Sequence, residues 1–299
     1  MQLPTTRQLQ YLKLLDEHRS FSRAAEAAHV TQPTLSAGIA ELERILGAAL
    51  VDRARSGVIL TAAGEDAVRR AKAILAQAED LVQAARGAGR PLTGRFRLGV
   101  IPTIAPFLLP RALPLLRTAF PELRLYLRED LTPRLISALR SGALDAALIA
   151  LPYDTTGLDV AEVGVDELLA ALPADHPLAA GDEVDPAALA HETLILLEDG
   201  HCLRDHALGA CQLEPPRARD GEGAFAATSL HTLMQMVGSG LGVSLTPAMA
   251  VRAGLTDTAA VAVRPLAAEA PQRQIVVAWR AGSSRGEEAR LLAETLRAA

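Results

Sequence analysis

The chain has 299 residues, of which 49% are hydrophobic and 22% are charged, and its formal net charge is −5. No apolar run approaches the roughly 18 residues of a membrane span, and the N-terminal MQLPTTRQLQ lacks the basic and apolar segments of a secretory signal. Two cysteines, Cys202 and Cys211, are too few for a disulfide-stabilised secreted scaffold. We therefore expect a cytoplasmic protein that does not enter a membrane.

The charge is unevenly distributed along the chain. Residues 1–90 contain 12 basic and 10 acidic side chains, whereas residues 91–299 contain 18 basic and 25 acidic ones. All basic side chains except Lys13 and Lys72 are arginines, whose planar guanidinium suits bidentate contacts with phosphates and bases. This asymmetry is compatible with an N-terminal DNA-binding module on an acidic body.

Three helices are predicted at the start of the chain. RQLQYLKLLDEH has the apolar spacing of an amphipathic helix, and SFSRAAEAAHV is typical of a short alanine-rich helix capped by Ser20 or Ser22. TQPTLSAGIAELERILG predicts a third helix that has Thr31 as its N-cap and ends at Gly47. The predicted buried stripe of this helix consists of Leu35, Ile39, Leu42 and Leu46.

The second and third helices, joined by HVTQP, predict a helix-turn-helix whose second helix enters the major groove of DNA. The residues of that helix expected to contact bases or phosphates are Thr31, Gln32, Pro33, Thr34 and Ser36. LVDRARSGVILT then predicts a β-hairpin wing with its turn at Ser56 and Gly57, and its Arg53 and Arg55 are further expected DNA contacts. On periodicity alone, a plain helical bundle with a solvated polar face remains an alternative.

From Thr61 the sequence predicts one long helix. Its apolar residues alternate at spacings of three and four, which is a heptad seam, and we expect dimerisation through it. The seam consists of Val68, Ala71, Leu75, Ala78, Val82 and Ala85, widened by Ile74 and Leu81. RGAGRPLTG then interrupts the pattern with three glycines and a proline, which predicts a hinge.

Residues 20–64 resemble the DNA-binding signature of LysR-type transcriptional regulators. The matching stretches are the core AAEAAHVTQPTLS, the helix end L-E-x-x-L-G and the wing exit L-T-x-A-G. The resemblance implies an N-terminal winged helix-turn-helix, a long linker helix and a C-terminal α/β effector domain of two lobes, like periplasmic binding proteins.

The rest of the sequence agrees with such an effector domain. FRLGVIP, LRLYLRE, LDAALIAL and RQIVVAWR predict strands that alternate with helices, which indicates a largely parallel α/β sheet. Ligands of such sheets bind beyond the carboxyl ends of the strands, which places Thr103, Thr132 and the segment after TLILLEDG at a cleft. We expect a DNA-binding domain at 1–62, the linker and hinge at 63–94 and the effector domain at 95–299. Lobe I would span about 95–165 and 270–299, and lobe II about 166–269.

Both cysteines fall within GHCLRDHALGAC, and three readings are open. They can be unreactive buried thiols, or two ligands of a metal site completed by His201 and His206, although this spacing matches no common zinc site. They can also be a redox pair in which a Cys202 thiolate, favoured by Arg204 and His201, attacks a peroxide and Cys211 resolves the sulfenic acid. A helix between the cysteines would put their Cα atoms about 13 Å apart, so a disulfide would require this segment to refold.

LEDGHCLRDHALGAC, IPTIAPFLLPRALPLL and ATSL resemble the peroxide-sensing OxyR subgroup of the LysR family. The resemblance implies that Cys202 is the peroxidatic cysteine and Cys211 the resolving one. It also implies a peroxide pocket formed by Thr103, Thr132, His201, Arg204, Asp205 and Arg273. The sequence departs from the subgroup at His206, Ala224 and Ala226, and these departures put the peroxide sensitivity in doubt.

The same resemblance implies a cytoplasmic regulator, not an enzyme, that uses no cofactor or metal. Its signal would be hydrogen peroxide, and its partners would be promoter DNA, other copies of the chain in a homodimer or homotetramer, and RNA polymerase. A glutaredoxin or thioredoxin system would reduce it. The alternatives are a LysR-type regulator of a small metabolite bound between the lobes, a thiol peroxidase and a zinc-responsive regulator.

Overall fold

The computed structural model describes residues 2–54, 57–86, 91–210, 226–267 and 271–299. The chain divides into two compact units, one formed by residues 1–89 with 140–143 and the other by residues 90–139 with 144–299. The helices are α1 (Thr6–His18), α2 (Phe21–Ala27), α3 (Gln32–Leu46), α4 (Ala62–Arg86), α5 (Ala105–Ala119), α6 (Thr132–Arg140), α7 (Pro186–Leu189), α8 (Cys202–Ala210), α9 (Leu230–Gly238), α10 (Ala248–Arg252) and α11 (Gly286–Arg297). The strands are β1 (Val51–Ala54), β2 (Gly57–Leu60), β3 (Gly94–Val100), β4 (Leu123–Glu129), β5 (Ala146–Leu151), β6 (Leu158–Pro173), β7 (Leu196–Leu197), β8 (Ala226–Ala227), β9 (Ser244–Pro247), β10 (Val261–Arg264) and β11 (Gln272–Arg280).

The helices of the first unit begin where polar side chains cap them. Ser20 accepts a hydrogen bond from the Arg23 amide at the start of α2, and Thr31 accepts one from the Thr34 amide at the start of α3. Helix α3 ends at Gly47, whose φ of 68° is the left-handed conformation that glycine adopts without strain. The predicted helix-turn-helix, its caps and the β1–β2 hairpin are therefore confirmed, while the predicted turn residue Ser56 lies outside the described residues.

Two predictions about apolar stripes are corrected. Leu46 is 45% exposed, because it is the last residue of α3 and the chain turns away at Gly47. Val68, Ala71 and Leu75 of the predicted seam are buried in the core of the first unit itself, so they are not available to a second copy. Among the described side chains of α4, the large apolar ones that are exposed are Val82 of the predicted seam and the two residues expected to widen it, Ile74 and Leu81.

The second unit is built on a mixed sheet with the strand order β10-β6-β11-β5-β3-β4, in which β9 also pairs with β6. Strand β3 is parallel to β4 and β5, as predicted. The pairs of β11 with β5 and β6, and of β6 with β9 and β10, are antiparallel, so the expectation of a largely parallel sheet is wrong. Later parts of the chain return to pair with β6: β11 pairs with its first part, and β9 and β10 pair with opposite sides of its last part. Strand β6 has 16 residues and was not predicted from the sequence.

Strand β6 belongs to two hydrophobic cores. Its first part, Leu158–Glu167, pairs with β11, and its last part, Leu168–Pro173, pairs with β9 and β10. The first core combines residues of β3, α5, α6, β5, β11 and α11, and the second combines the end of β6 with residues of α8, α9 and β9. The chain thus returns to its first core through β11 after passing through the second.

Candidate functional site

Four of the predicted pocket residues are almost completely buried at the ends of sheet strands and at helix starts. Thr103 lies in the turn after β3, Thr132 is the first residue of α6, Cys202 is the first residue of α8 and Arg273 lies in β11. Their exposures are 2%, 1%, 3% and 0%. Cys202 packs in the first core, whereas its neighbour Leu203 packs in the second. The start of α8 therefore touches both cores.

Arg273 organises this site through a fixed guanidinium group. Its Nε and Nη2 donate to Oδ2 of Asp166 at 3.1 and 2.9 Å. Its Nη1 donates to Oγ1 of Thr103 at 2.9 Å, and its Nη2 donates to the Thr103 carbonyl oxygen at 3.0 Å. The other Asp166 oxygen, Oδ1, accepts from the Met249 amide at 2.8 Å. Asp166 of β6 and Thr103 of the turn after β3 thus hold the cation in one position.

Asp166 is a residue of the site that the sequence analysis missed. It lies opposite Arg273 in the β6–β11 register and is 1% exposed. The 107 residues between the two partners leave no local sequence signal for this pair. Only a correct prediction of β6 and of its register against β11 could have identified it.

The environment of Cys202 has opposing effects on its thiol. Burial raises the pKa of Cys202, and the charge of Arg273, the Thr132 hydroxyl and the Leu203 amide lower it, while the charge of Asp205 raises it further. The net direction is upward, so the resting cysteine is a protonated thiol at neutral pH. The Thr132 hydroxyl has no hydrogen-bond partner of normal geometry in the described part of the chain. Among the described residues its polar interaction is with the Cys202 thiol alone.

The remaining predicted pocket residues, His201, Arg204 and Asp205, lie close to Cys202 in the sequence. The Arg204 guanidinium donates to the Leu197 carbonyl oxygen at 3.2 Å and pairs with Asp199 at 3.0 Å. His201 is 8% exposed, and burial lowers its pKa. Asp205 is exposed and acts on Cys202 through its charge. The Thr132 hydroxyl and the charge of Arg273 thus act on the thiol, Thr103 is bound by Arg273, and Arg204 is engaged at the end of β7.

His206 follows Cys202 by one turn of α8. Its Nε2 lies 3.4 Å from the Pro152 carbonyl oxygen, and its Nδ1 is buried without a hydrogen-bond partner among the described residues. Burial lowers the pKa of this imidazole, and the charge of Arg273 lowers it further. From the sequence, His206 is a possible metal ligand and a departure from the OxyR pattern, and the structure places it in the electrostatic environment of Arg273.

Some predicted residues cannot be placed. Cys211, Arg55 and Ala224 lie outside the described residues, as does the side chain of Arg53. Ala226 is exposed in β8. Among the described residues, no group of three or more His, Cys, Asp or Glu side chains is arranged to hold a metal ion.

The predicted DNA-contacting residues lie at the start of α3. Thr31, Gln32, Pro33 and Thr34 are exposed and Ser36 is half-buried. The hydroxyls of Thr31 and Thr34 are 2.8 Å apart, so both also stabilise the helix start. The Gln32 side chain makes no hydrogen bond within the described ranges, which leaves its amide available for a base edge.

No described helix is both long enough and apolar enough to cross a membrane.

Two family profiles together match almost the entire chain. The profile described as "Bacterial regulatory helix-turn-helix protein, lysR family" matches residues 6–65. The profile described as "LysR substrate binding domain" matches residues 89–299. The predicted fold class, a winged helix-turn-helix with a linker helix followed by a two-lobed effector domain, is thereby confirmed.

Curated relatives carry two kinds of name. The chain is 44% identical over 250 residues to the HTH-type transcriptional regulator EstR of Acinetobacter baylyi, an alignment that covers 83% of this chain and 81% of the relative. It is 40% identical over 292 residues to the hydrogen peroxide-inducible genes activator of Escherichia coli O157:H7, covering 98% of this chain and 94% of the relative. The predicted resemblance to OxyR is thus supported over nearly the full length.

Solved structures give the same result. A cysteine-to-aspartate variant of full-length OxyR from Pseudomonas aeruginosa matches with a TM-score of 0.78 at 36% identity, covering 99% of this chain and 98% of that one. A cysteine-to-serine variant of Corynebacterium glutamicum OxyR with H₂O₂ bound matches with a TM-score of 0.66 at 34% identity, covering 99% of this chain and 92% of that one.

Proposed function

Because the chain belongs to the LysR family of bacterial transcriptional regulators, we propose that it senses hydrogen peroxide through Cys202 and controls promoters of oxidative-stress genes. The observation that carries the proposal is a buried cysteine at the start of α8 on which the Thr132 hydroxyl and the charge of Arg273 act, with Arg273 also bound to Thr103. The relatives named as peroxide-inducible activators, and the OxyR structure with H₂O₂ bound, support the choice of signal. The protein is a regulator and not an enzyme.

The first chemical step is oxidation of Cys202. The thiol loses its proton as peroxide enters, and the sulfur attacks one peroxide oxygen. The S–O bond forms as the O–O bond breaks, and the leaving hydroxide takes up a proton, so the products are a sulfenic acid and water. Arg273 stabilises the thiolate, and the hydroxyls of Thr103 and Thr132 orient the peroxide.

The second step joins Cys202 to Cys211. The Cys211 sulfur attacks the sulfenic sulfur, water leaves, and a disulfide remains. Helix α8 runs from Cys202 to Ala210, so a helical rise of about 12 Å separates the Cα atoms of its first and last residues. A disulfide needs Cα atoms roughly 4.4–6.8 Å apart. Bond formation therefore requires α8 to unwind and Cys202 to leave the first core.

This rearrangement is the switch that changes DNA binding. Residues 1–62 bind promoter DNA through the start of α3 and the β1–β2 wing, residues 63–94 form the linker, and residues 95–299 sense the signal. The protein acts in the cytoplasm as a homodimer or homotetramer, and the exposed apolar residues Ile74, Leu81 and Val82 of α4 are the surface for self-association. Oxidation alters the arrangement of the chains in this oligomer and its contact with RNA polymerase. A glutaredoxin or thioredoxin system then reduces the disulfide to the two thiols.

A second candidate is a LysR-type regulator of a small metabolite, and the match of residues 89–299 to the profile described as "LysR substrate binding domain" favours it. In that case Thr103, Thr132 and Arg273 would bind polar groups of the effector. Cys202 would be a buried residue without redox function.

The experiment that separates the two is peroxide titration of the reduced full-length protein, followed by thiol blocking, digestion without reductant and mass spectrometry. We expect a peptide linked through Cys202 and Cys211 near one equivalent of peroxide. Sulfenic acid on Cys202 with Cys211 free would retain peroxide sensing and remove the disulfide. Unreacted thiols at large excess of peroxide would contradict the proposal and favour a metabolite.

A further inference from the structure

A cavity of about 250 Å³ lies beside the Arg273–Asp166 pair. Its walls include Met249 and Arg252, which approach the Asp166 oxygen that does not face Arg273. The Met249 amide donates to Asp166 Oδ1 at 2.8 Å, and the Arg252 guanidinium lies 3.8 Å from it. The cavity is therefore adjacent to the sensing site but separate from Thr103, Thr132 and Cys202, which do not line it.

The floor of this cavity is apolar and well buried. It is formed by Phe107, Leu108, Val163, Ile275 and Leu296, whose exposures lie between 1% and 9%. At roughly 30 Å³ for each non-hydrogen atom, the share of liquid volume that one water takes, the space accommodates about eight to ten such atoms. An apolar chain or a single ring of that size would be buried against this floor.

The side chains that line the rim of the cavity carry a surplus of positive charge. Arg111, Arg252 and Arg297 line it. Arg111 makes no hydrogen bond or ion pair within the described ranges, and Arg297 donates to a backbone oxygen, that of Glu162. The acid nearest to Arg252 is Asp166, whose charge is already paired with Arg273.

Glu162, whose backbone oxygen is bound by Arg297, does not reduce the surplus of positive charge at the rim. The side chain of Glu162 accepts a hydrogen bond from Gln274 and does not line the cavity. Guanidinium groups without an acidic partner favour a bound carboxylate, because their paired N–H donors match its two oxygens.

We propose that this cavity is a second ligand site that binds an amphipathic carboxylate. The apolar part of the ligand lies on the buried floor, and the carboxylate lies between Arg111 and Arg252. The site connects to the sensing thiol through Asp166, because Arg252 and Arg273 approach opposite oxygens of the same carboxylate.

This connection gives the ligand an effect on the sensor. The added negative charge lies between two exposed arginines, where salt screens it in part, and close to the buried Asp166–Arg273 pair. It opposes the stabilisation of a Cys202 thiolate by Arg273, and so the bound ligand slows oxidation of Cys202. The effect on oxidation rests on the proposed peroxide-sensing function, whereas ligand binding itself does not.

Calorimetric titration of the reduced full-length protein with sodium octanoate tests the site. We expect saturable binding of one octanoate per chain, and at least tenfold weaker binding of the neutral analogue octanamide. The Arg111→Gln/Arg252→Gln variant should lose at least tenfold in octanoate affinity, and Arg117→Gln, an exposed α5 arginine that does not line the cavity, should retain it.

A second variant fills the cavity without removing charge. Gly164 lines the cavity, and a Cβ at this position would meet no atom within 4 Å. Gly164→Val should therefore fold normally, as judged by its thermal unfolding, and bind octanoate at least tenfold more weakly. Absence of octanoate binding, equal binding of octanamide, or unchanged affinity in both variants would overturn the site.

The coupling is measured as the rate of Cys202 oxidation with and without saturating octanoate. We expect oxidation to slow about two- to fivefold in the wild type and to be unaffected by octanoate in Gly164→Val. An unchanged rate in the wild type, with octanoate bound, would overturn the coupling. Failure of Cys202 to react in the ligand-free protein would instead contradict the proposed function.

Discussion

Arg273 and Asp166 lie opposite each other on strands β11 and β6, and two nitrogens of the guanidinium donate to a single oxygen of the carboxylate. Both side chains are almost completely removed from water, with exposures of 0% and 1%. A charge in such a place is tolerated only while its partner is present, because neither group can be solvated by water. The pair therefore fixes the position of the cation that acts on Cys202.

Asp166→Asn tests this relationship. The substitution leaves the Arg273 charge buried without a counter-ion, and we expect the free energy of unfolding to fall by about 3–5 kcal/mol. Urea unfolding followed by circular dichroism measures the loss. Asp66→Asn, at an exposed ion pair of α4, should change the unfolding free energy little. Equal stabilities of Asp166→Asn and the wild type would show that the buried pair is not needed.

Thr132→Val removes the hydroxyl beside the thiol. That hydroxyl lowers the pKa of Cys202, so we expect oxidation by peroxide to slow about tenfold at pH 7. Stability should fall by no more than about 1.5 kcal/mol, because the interaction with the thiol is the only hydrogen bond of this hydroxyl among the described residues. Thr246→Val is the matched control, since Thr246 is also buried with an unpartnered hydroxyl but lies in β9. Stopped-flow oxidation of both variants measures the difference, and equal rates would contradict the role of Thr132.

Asp205→Asn should accelerate oxidation. The Asp205 charge raises the pKa of the Cys202 thiol, so its removal increases the thiolate fraction at pH 7, and we expect a rate about two- to fivefold higher. In the wild type the rate should rise with pH for the same reason, because burial holds the pKa of Cys202 above its ordinary value. Glu287→Gln, an exposed acid in the first turn of α11, should leave the rate unchanged. An oxidation rate that does not change between about pH 6 and pH 8 would show that deprotonation of Cys202 is not required.

Acid should destabilise the effector unit through two buried histidines. Burial lowers the pKa values of His201 and His206 from 6.5, so the unfolded chain binds more protons than the folded chain once the pH falls below that value. We expect the unfolding free energy to decrease as the pH falls from 6.5 towards the lowered pKa values, and less so in His201→Gln/His206→Gln. His191→Gln removes an exposed histidine as the control. Urea unfolding on both sides of this window gives the comparison, and an identical pH dependence in the double variant would refute it.

Gln32→Ala should weaken DNA binding without affecting the fold. The Gln32 side chain is exposed at the start of α3, and loss of one amide contact with a base costs about 1–3 kcal/mol of binding free energy. Fluorescence anisotropy on a promoter fragment selected by the wild-type protein measures the affinity. Gln77→Ala removes an exposed glutamine from α4 as the control. If both variants bind equally well, the start of α3 does not read bases through Gln32.

Elements with local signals were predictable from the sequence. Helix α3 begins at a threonine cap and ends at a glycine in the left-handed conformation, and both features depend on residues within one turn. Strand β6 has no such signal, because its burial pattern changes where its partners change from β11 to β9 and β10. The same limit applies to Asp166, because it belongs to the site only through its hydrogen bond with Arg273 on β11.

The seam of α4 shows a different limit. Periodicity identifies an apolar face but does not say what covers that face. Val68, Ala71 and Leu75 have the spacing of a coiled coil and pack within their own unit, while Ile74 and Leu81 are exposed. Pairing through this helix must therefore use the exposed residues and not the full predicted seam.

The position of β11 in the sheet determines when the site exists during synthesis of the protein. The strand lies between β5 and β6, yet it is among the last segments to leave the ribosome. Until β11 has been synthesised, β5 and β6 lack the strand that lies between them, and Cys202 lacks the charge of Arg273. A chain whose synthesis stops before Gln272 would therefore retain the complete helix-turn-helix but lack the machinery for sensing. If the protein senses peroxide as proposed, such a product would retain the DNA-binding elements and lose the response to the signal.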